Sequence, residues 1–269
     1  MHWFQRYKNF FTRREVPYVF LEKAVGETPL VALEKYRAEH PALTGVPMAY
    51  AGRLDPMASG TLLILIGDEC KQQEKYHALD KEYEFSVLFG ASSDTGDVLG
   101  RITAMDAPDV SEANIRRVLP TLVGPITLPY PHFSSKTVRG KPLHVWTLEN
   151  RLDEIDIPTY TSTIYTLTLN TVIQKSGVDI SKEALTKIET IPPVTEASKA
   201  LGRDFRRDDV RKDWKQFEET HGSEIYTIAT FTCKASSGMY MRSLSEIIAQ
   251  KLGTTGLAYA IHRTKIFLS

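Results

Sequence analysis

Apolar positions recur along the chain with two periods. In "PLVALEKYRAEHP" (residues 29 to 41), Leu30, Leu33 and Tyr36 share one helical face between two prolines, which predicts a short amphipathic helix. "TLLILIGDECKQQEKYHALD" predicts a buried strand or helix start passing into a polar helix. In "KEYEFSVLFGASSDTGDVLGRIT", Tyr83, Phe85, Val87 and Phe89 alternate before a turn at "SSDTGD", a hairpin signature. "SEANIRRVLPTLVG" (111 to 124) has a serine cap and helical spacing, whereas "TSTIYTLTLNTV" and "SEIYTIATFTCKASSG" alternate as strands. "MYMRSLSEIIAQKLG" predicts a helix ending at Gly253, and "AYAIHRTKIFLS" a closing strand. Two stretches break the periodicity: "AYAGRLDPMASG" (49 to 60) predicts a loop, and "PITLPYPHFSSKTVRGKPLHVW" a long, Pro-rich, basic connection. Residues 175 to 222 switch to a charged, helix-favouring composition broken by Pro192 and Pro193, an inserted helical excursion.

Composition narrows the class without naming a function. At 269 residues, 42% hydrophobic and 25% charged, the chain can bury a sizeable core as one large domain carrying an insertion. Thirty-three basic residues balance thirty-three acidic ones, so a globally basic nucleic-acid footprint is absent and any such site must be local. Two cysteines, Cys70 and Cys233, lie far apart, against a disulfide framework or zinc module and for a reducing compartment. The opening "MHWFQRYKNFFTRREVPYVF" lacks the apolar core of a signal peptide, and no run reaches the roughly 18 apolar residues of a membrane helix. A cytoplasmic protein without a membrane span is the expectation.

The loop at 49 to 60 places one carboxylate, Asp55, between Leu54 and Pro56, immediately ahead of a buried run. Pro56 keeps the acid out of helix, and a rigid loop on a buried strand suits a catalytic group. An Asx turn, or a surface pair with Arg53, explains the same residues. Taken together and in order, "GRLDPMASGTLLILIG", "KEYEF", "SSDTGD", "HFSSKTVRGKPL" and "SSGMYMRSLSEIIAQKLG" resemble the TruB family of tRNA pseudouridine synthases. That family typically reads G-x-L-D-P-x-A-x-G-x-L, K-x-Y, D-T-x-D, a P-P-x-[YF]-S-A loop and K-G-x-Y-I-R. The resemblance spans roughly residues 20 to 170 and 223 to 269.

It implies an α/β (α+β type) pseudouridine synthase fold, with a central mixed, mainly antiparallel sheet flanked by helices. It implies Asp55 as the catalytic acid, Tyr83 as the ring stacked on a flipped uracil, and Arg242 as the arginine paired with the acid. Tyr240 matches the second tyrosine, and Arg53, Asp97, Lys136, Arg139 and Lys141 become candidate substrate contacts. The chemistry needs such types. Isomerising uridine means breaking the glycosidic bond, turning the uracil and rejoining it through carbon. A carboxylate attacking the ribose, or taking a ribose proton, must be ionised and desolvated together, and a neighbouring guanidinium favours that state. The base must leave its stack, and an aromatic face replaces the lost contact. The reaction neither oxidises nor imports a group, so neither a metal nor an organic cofactor is expected.

On pattern alone Tyr83 reads equally as core packing, Arg242 as a solvated side chain, Asp97 as a turn cap and the basic loop as solvated surface. The chain departs from the family where Tyr50 and Ala51 stand for the His-Thr before the motif, and where Tyr130, Ser135 and Thr137 stand for Pro, Ala and Lys. Lys136 lies beside that last position, and Arg53 is similar to the R-L-D of the RluA and RsuA branches. The chain stops about six residues after Arg263, which predicts no C-terminal RNA-binding PUA domain. The resulting expectation is a monomeric enzyme with a tRNA partner, no obligatory protein partner, and uridine 55 of the T-loop as target. The alternatives are a synthase for ribosomal RNA or another tRNA site, and a tRNA-folding factor for which catalysis is dispensable. The basic clusters "GRDFRR" and "RKDWKQF" of the insertion read more simply as a salt-bridged helical surface.

Overall fold

A computed structural model describes residues 17 to 191 and 206 to 268. The chain enters through β1 (Tyr18–Lys23) and α1 (Pro29–Glu39). Thr28 caps α1, its hydroxyl accepting the Val31 N–H at 3.2 Å, with Pro29 in the first turn where no N–H is missed. β2 (Met48–Ala51) and β3 (Ala58–Ile66) then pair antiparallel, and the connection between them carries Asp55. α2 (Gln73–His77) leads into β4 (Lys81–Phe89), after which β5 (Ala91–Ser93) and β6 (Ile102–Ala104) form a small separate hairpin. α3 (Glu112–Val118) is capped by Ser111, and β7 (Gly124–Pro129) follows. β8 (Thr137–Val138), β9 (Lys141–Pro142) and α4 (Leu143–Leu148) precede the long β10 (Thr159–Ser176). α5 (Gly177–Glu189) and α6 (Arg207–His221) come next, then β11 (Ile225–Ala235), α7 (Met241–Lys251) and β12 (Gly256–Ile266).

Eight strands build the main sheet in the order β1-β3-β12-β4-β11-β10-β7, with β2 joining through β3. Every neighbouring pair is antiparallel except β12 with β3, which run parallel. The expected mixed, mainly antiparallel sheet with flanking helices is therefore present. Its middle is the alternation read from sequence: Phe85, Val87 and Phe89 of β4 meet Phe231 of β11, Leu257 of β12, and Leu244 and Ile248 of α7 in one core. Trp214 and Phe217 of α6 and Ile180 and Ala184 of α5 are buried in that same core. Within the 175 to 222 excursion, α5 and α6 thus share the body's core.

Three expectations need correction. The Pro-rich connection is not irregular throughout: β7 pairs with β10 at the sheet's edge, where Pro125 and Pro129 cost no inner ladder bond. Within the same stretch "VRGK" makes a two-residue hairpin, with Arg139 (φ 47) and Gly140 (φ 78) at its tip. The 49 to 60 loop is shorter than predicted, because Ala49–Ala51 extend as β2 and Ala58 already belongs to β3. β4 pairs with β11 and β12 rather than folding back at "SSDTGD", and that turn belongs to the β5–β6 hairpin. Pro192, Pro193, most of "GRDFRR" and the stretch "MHWFQRYKNFFTRREV" lie outside the described residues.

Candidate active site

The loop 52 to 57 is held from below and open above. Leu54, Met57 and Ala58 are buried, which leaves Asp55 as the member of "LDPMA" whose charged side chain turns outward. Gly52 takes φ 82 and Gly60 φ 108, conformations that side-chain-bearing residues rarely adopt. Gly60 is required twice over, since a Cβ there would lie 2.3 Å from the Arg263 carbonyl oxygen of β12. The Gly26 N–H donates to the Pro56 carbonyl at 2.8 Å and fixes the loop's far side.

Arg242, second residue of α7, reaches across 187 positions of sequence to donate through Nε to Asp55 Oδ2 at 2.8 Å. Its Nη1 donates to the Thr95 carbonyl at 2.5 Å and its Nη2 to the Phe133 carbonyl at 3.3 Å. One guanidinium thereby ties together the Asp55 loop, the "SSDTGD" turn and the Pro-rich connection. Asp97 Oδ2 lies 3.8 Å from the same Nε. Burial pushes the Asp97 carboxyl up to about 6 against the pull of Arg242. Its Oδ1 accepts the Thr95 hydroxyl at 2.8 Å and the Leu99 N–H at 2.9 Å. Asp97, expected as a substrate contact, instead stands inside the protein as a support for the arginine.

The acid itself is not in a dry pocket. The side chain of Arg242 is 5% exposed and that of Asp55 40% exposed, so the cation is sealed while the anion faces outward. Closing the acid off is left to whatever binds over it. Two tyrosines lie near enough for the Asp55 charge to act on their phenols. Tyr83, on β4, is directly opposite Cys233 of β11 and Arg263 of β12. Burial raises its phenol pKa, the Arg263 charge and hydrogen bond oppose that, and the Asp55 charge adds to the rise. Tyr240 caps α7, and burial followed by the Asp55 charge pushes its phenol up to about 12. Behind Tyr240, Tyr160 and Tyr130 complete an aromatic wall, with ring centroids 5.4 and 6.1 Å from its own.

The basic residues divide. Lys136 is exposed, its ammonium 5.1 Å from the Tyr130 ring, and so adjoins the wall beside the acid. Lys141 is tied to Glu149 at 2.6 Å and lies over Trp146, while Arg139 donates to the Glu154 carbonyl at 3.1 Å. Arg53 is exposed, and the ion pair of Asp55 is made with Arg242.

Two cations were not singled out from sequence. Arg263 is 1% exposed and donates through Nε to the Thr61 carbonyl, and through Nη1 and Nη2 to the carbonyls of Arg53 and Gly52. It is the internal clamp of the Asp55 loop. Lys23 is buried, its ammonium donating to the Ala24 and Glu27 carbonyls at 2.8 Å each, and burial pushes it down to about 8 despite Glu27 and Asp55. The signal existed: in "AYAIHRTKI" period two puts Arg263 on the same face as Ile261, and a charge on an apolar face is the informative exception. Among the described residues, Asp106, His221 and Glu224 bring possible metal-ligating atoms within 4.8 Å of one another. Glu224 is already engaged there by the Ala107 N–H, the Tyr226 hydroxyl and His221.

The model of the TruB family pseudouridylate synthase, N-terminal domain, matches residues 43–188. The tRNA pseudouridine synthase B of Syntrophus aciditrophicus is 32% identical over 155 residues, which are 57% of this chain and 48% of that protein. That of Caldicellulosiruptor saccharolyticus is 26% identical over 247 residues, 92% of this chain and 66% of that protein. The chain therefore spans between about half and two thirds of these relatives' length. A solved Cbf5-Nop10-Gar1 complex contains a chain of similar fold, with TM-score 0.51 and 15% identity over 93% of this chain and 48% of that one. No helix among the described residues is long and apolar enough to cross a membrane.

Proposed function

Since the chain belongs to the TruB family of pseudouridylate synthases, we propose that it isomerises uridine to pseudouridine in tRNA, at position 55 of the T-loop. The observation that carries this reading is the sealed guanidinium of Arg242 holding an outward-facing Asp55 at 2.8 Å, with the phenols of Tyr83 and Tyr240 within reach of its charge. In this reading a uracil turned out of the RNA stack lies on Tyr83 and completes the burial that the protein alone leaves unfinished. Shielding the acid only when substrate arrives avoids the cost of a permanently desolvated charge, and excludes water when the glycosidic bond is weakest.

Asp55 then attacks the ribose C1′ or takes a ribose proton, and the C1′–N1 bond breaks. The uracil turns, C5 bonds to C1′, and the hydrogen on C5 leaves as a proton while N1 gains one. Arg242 pairs with the acid and aims it. Asp97 gives the guanidinium a second negative neighbour, and Arg263 holds the carbonyls of the loop on which Asp55 rides. Lys136, beside the tyrosine wall, faces the RNA phosphates, whereas Arg139 and Lys141 shape the hairpin behind it. The chain works as a monomer on tRNA.

Purified protein incubated with unmodified tRNA transcripts is expected to produce pseudouridine at one T-loop position by site-resolved detection. Asp55→Asn is expected to lower tritium release from 5-tritiated uridine by about a thousandfold or more while leaving tRNA binding within a few-fold. Normal release by that variant would remove Asp55 from the chemistry. Pseudouridine at another position would keep the chemistry and move the target.

A further inference from the structure

The helical insertion has no role in the reading above, yet it grips the two segments that hold the catalytic arginine. Both terminal nitrogens of Arg242 end on backbone carbonyls, those of Thr95 and Phe133. Arg206, at the entry to α6, donates from Nη1 and Nη2 to the two oxygens of Asp94, at 2.5 and 3.0 Å, in the residue next to Thr95. The same guanidinium lies 4.6 Å from the centroid of the Phe133 ring. One side chain of the insertion therefore touches each strip of chain on which Arg242 leans.

Further contacts converge on the same turn. Asp94 Oδ1 also accepts the Arg101 N–H at 2.9 Å, closing the base of the turn. The Arg101 side chain makes a forked pair with Asp213 of α6, at 2.5 and 3.0 Å. Trp214, fully buried, donates through Nε1 to the Val98 carbonyl at 3.0 Å, and Ser181 of α5 donates to the Trp214 carbonyl at 2.9 Å. Arg206 itself sits at φ 50, ψ 37, a left-handed conformation that a residue with a Cβ rarely adopts and that persists where the surroundings impose it.

We propose that the α5–α6 insertion is a brace for the catalytic arginine and that Arg206 is its positioning residue, setting the Thr95 and Phe133 carbonyls that aim Arg242 at Asp55. The inference rests on the pseudouridine synthase reading. A guanidinium is needed because a planar fork can pair with a carboxylate and lie over a ring at once, which a lysine ammonium cannot. A displacement of about 1 Å at the aimed group is enough to lose orders of magnitude in rate.

The test is single-turnover and steady-state kinetics of full-length Arg206→Ala, Arg206→Lys and Asp94→Asn on tRNA transcripts, beside wild type. Arg211→Ala serves as control, because it breaks pairs of the same insertion with Glu189 and Asp208 away from the turn. Arg206→Ala and Asp94→Asn are expected to lose roughly tenfold or more in kcat with KM for tRNA changed less than about threefold. Arg206→Lys should regain only part of the loss, a variant combining Arg206→Ala with Asp94→Asn should be no worse than either single one, and Arg211→Ala should keep wild-type kcat. An Arg206→Ala enzyme with kcat within about twofold of wild type overturns the inference while leaving the function intact. So does a loss equalled by Arg211→Ala and matched by a common fall in Tm. A wild type that forms no pseudouridine overturns the functional reading together with this one.

Discussion

Arg242 stands in the first turn of α7, where the helix dipole disfavours a cation, and it is buried as well. Two carboxylates make the position tenable, Asp55 at 2.8 Å and Asp97 at 3.8 Å from Nε. They differ in setting: Asp55 is open to what binds, whereas Asp97 is shut in and its carboxyl is pushed up to about 6. That shift has a measurable sign. Between its ordinary value of 3.8 and about 6 the folded protein keeps a proton on Asp97 that the unfolded chain has released. The contribution of Asp97 to stability therefore falls as pH rises through that window and is level above it. Asp97→Asn does not titrate, so the unfolding free energy of wild type minus that of the variant is expected to decline from pH 4 to pH 6. Chemical denaturation at a series of pH values measures it, and a difference that climbs with pH would mean that Arg242 outweighs burial.

Among the elements, β3 and β12 set the geometry of the acid. They run parallel for three residue pairs, Ala58 with Ile261, Ser59 with His262 and Gly60 with Arg263, just after the Asp55 loop ends. The close approach places the Arg263 side chain under the loop, where it binds the carbonyls of Gly52, Arg53 and Thr61. The final glycine of "DPMASG" is thus a packing requirement of a strand nearly the whole chain away. Gly60→Ala would press a methyl group against the Arg263 backbone and hold alanine at φ 108. It is expected to cost more than about 2 kcal/mol and to lower kcat beyond what the loss of folded protein explains. Thermal unfolding together with activity per folded molecule checks this, and an undiminished Tm would show that β12 can step aside.

Taken as one molecule, the protein carries no net formal charge, and many of its cations are spent internally. Arg263 and Lys23 serve backbone carbonyls, Arg101 pairs with Asp213 of α6, Arg211 pairs with Glu189 and Asp208 within the insertion, and Lys141 is held by Glu149. The expected salt-bridged surface of the insertion is present at Arg211, with Glu189 and Asp208. Under the proposed function, RNA affinity would come from a small local face, to which Lys136, exposed beside the tyrosine wall, contributes an ammonium. Binding to tRNA is expected to weaken steeply with salt, and Lys136→Ala to reduce the slope of log K against log salt by about one. Fluorescence titrations between low and physiological salt measure both. An unchanged slope for the variant would place the RNA elsewhere.

Much of the frame was legible because it follows from local rules. Period-two alternation marked β4, β10 and β11, Pro29, the Ser111 cap and Gly253 bounded helices, and ordered motifs singled out Asp55, Tyr83, Tyr240 and Arg242. Sequence by itself determined which residues would lie in strands and which residue types could do the chemistry, since periodicity and residue type are properties of the chain. It left undecided whether Asp97 meets substrate or arginine, whether Lys141 and Arg139 are free, and what the insertion is for. Lys141 and Arg139 find Glu149 and Glu154 only 8 and 15 residues on, but the other answers depend on contacts more than a hundred positions apart, such as Arg206 with Asp94. A partner so distant leaves no trace in local spacing, because burial and charge balance are set only when separate strands close on one another.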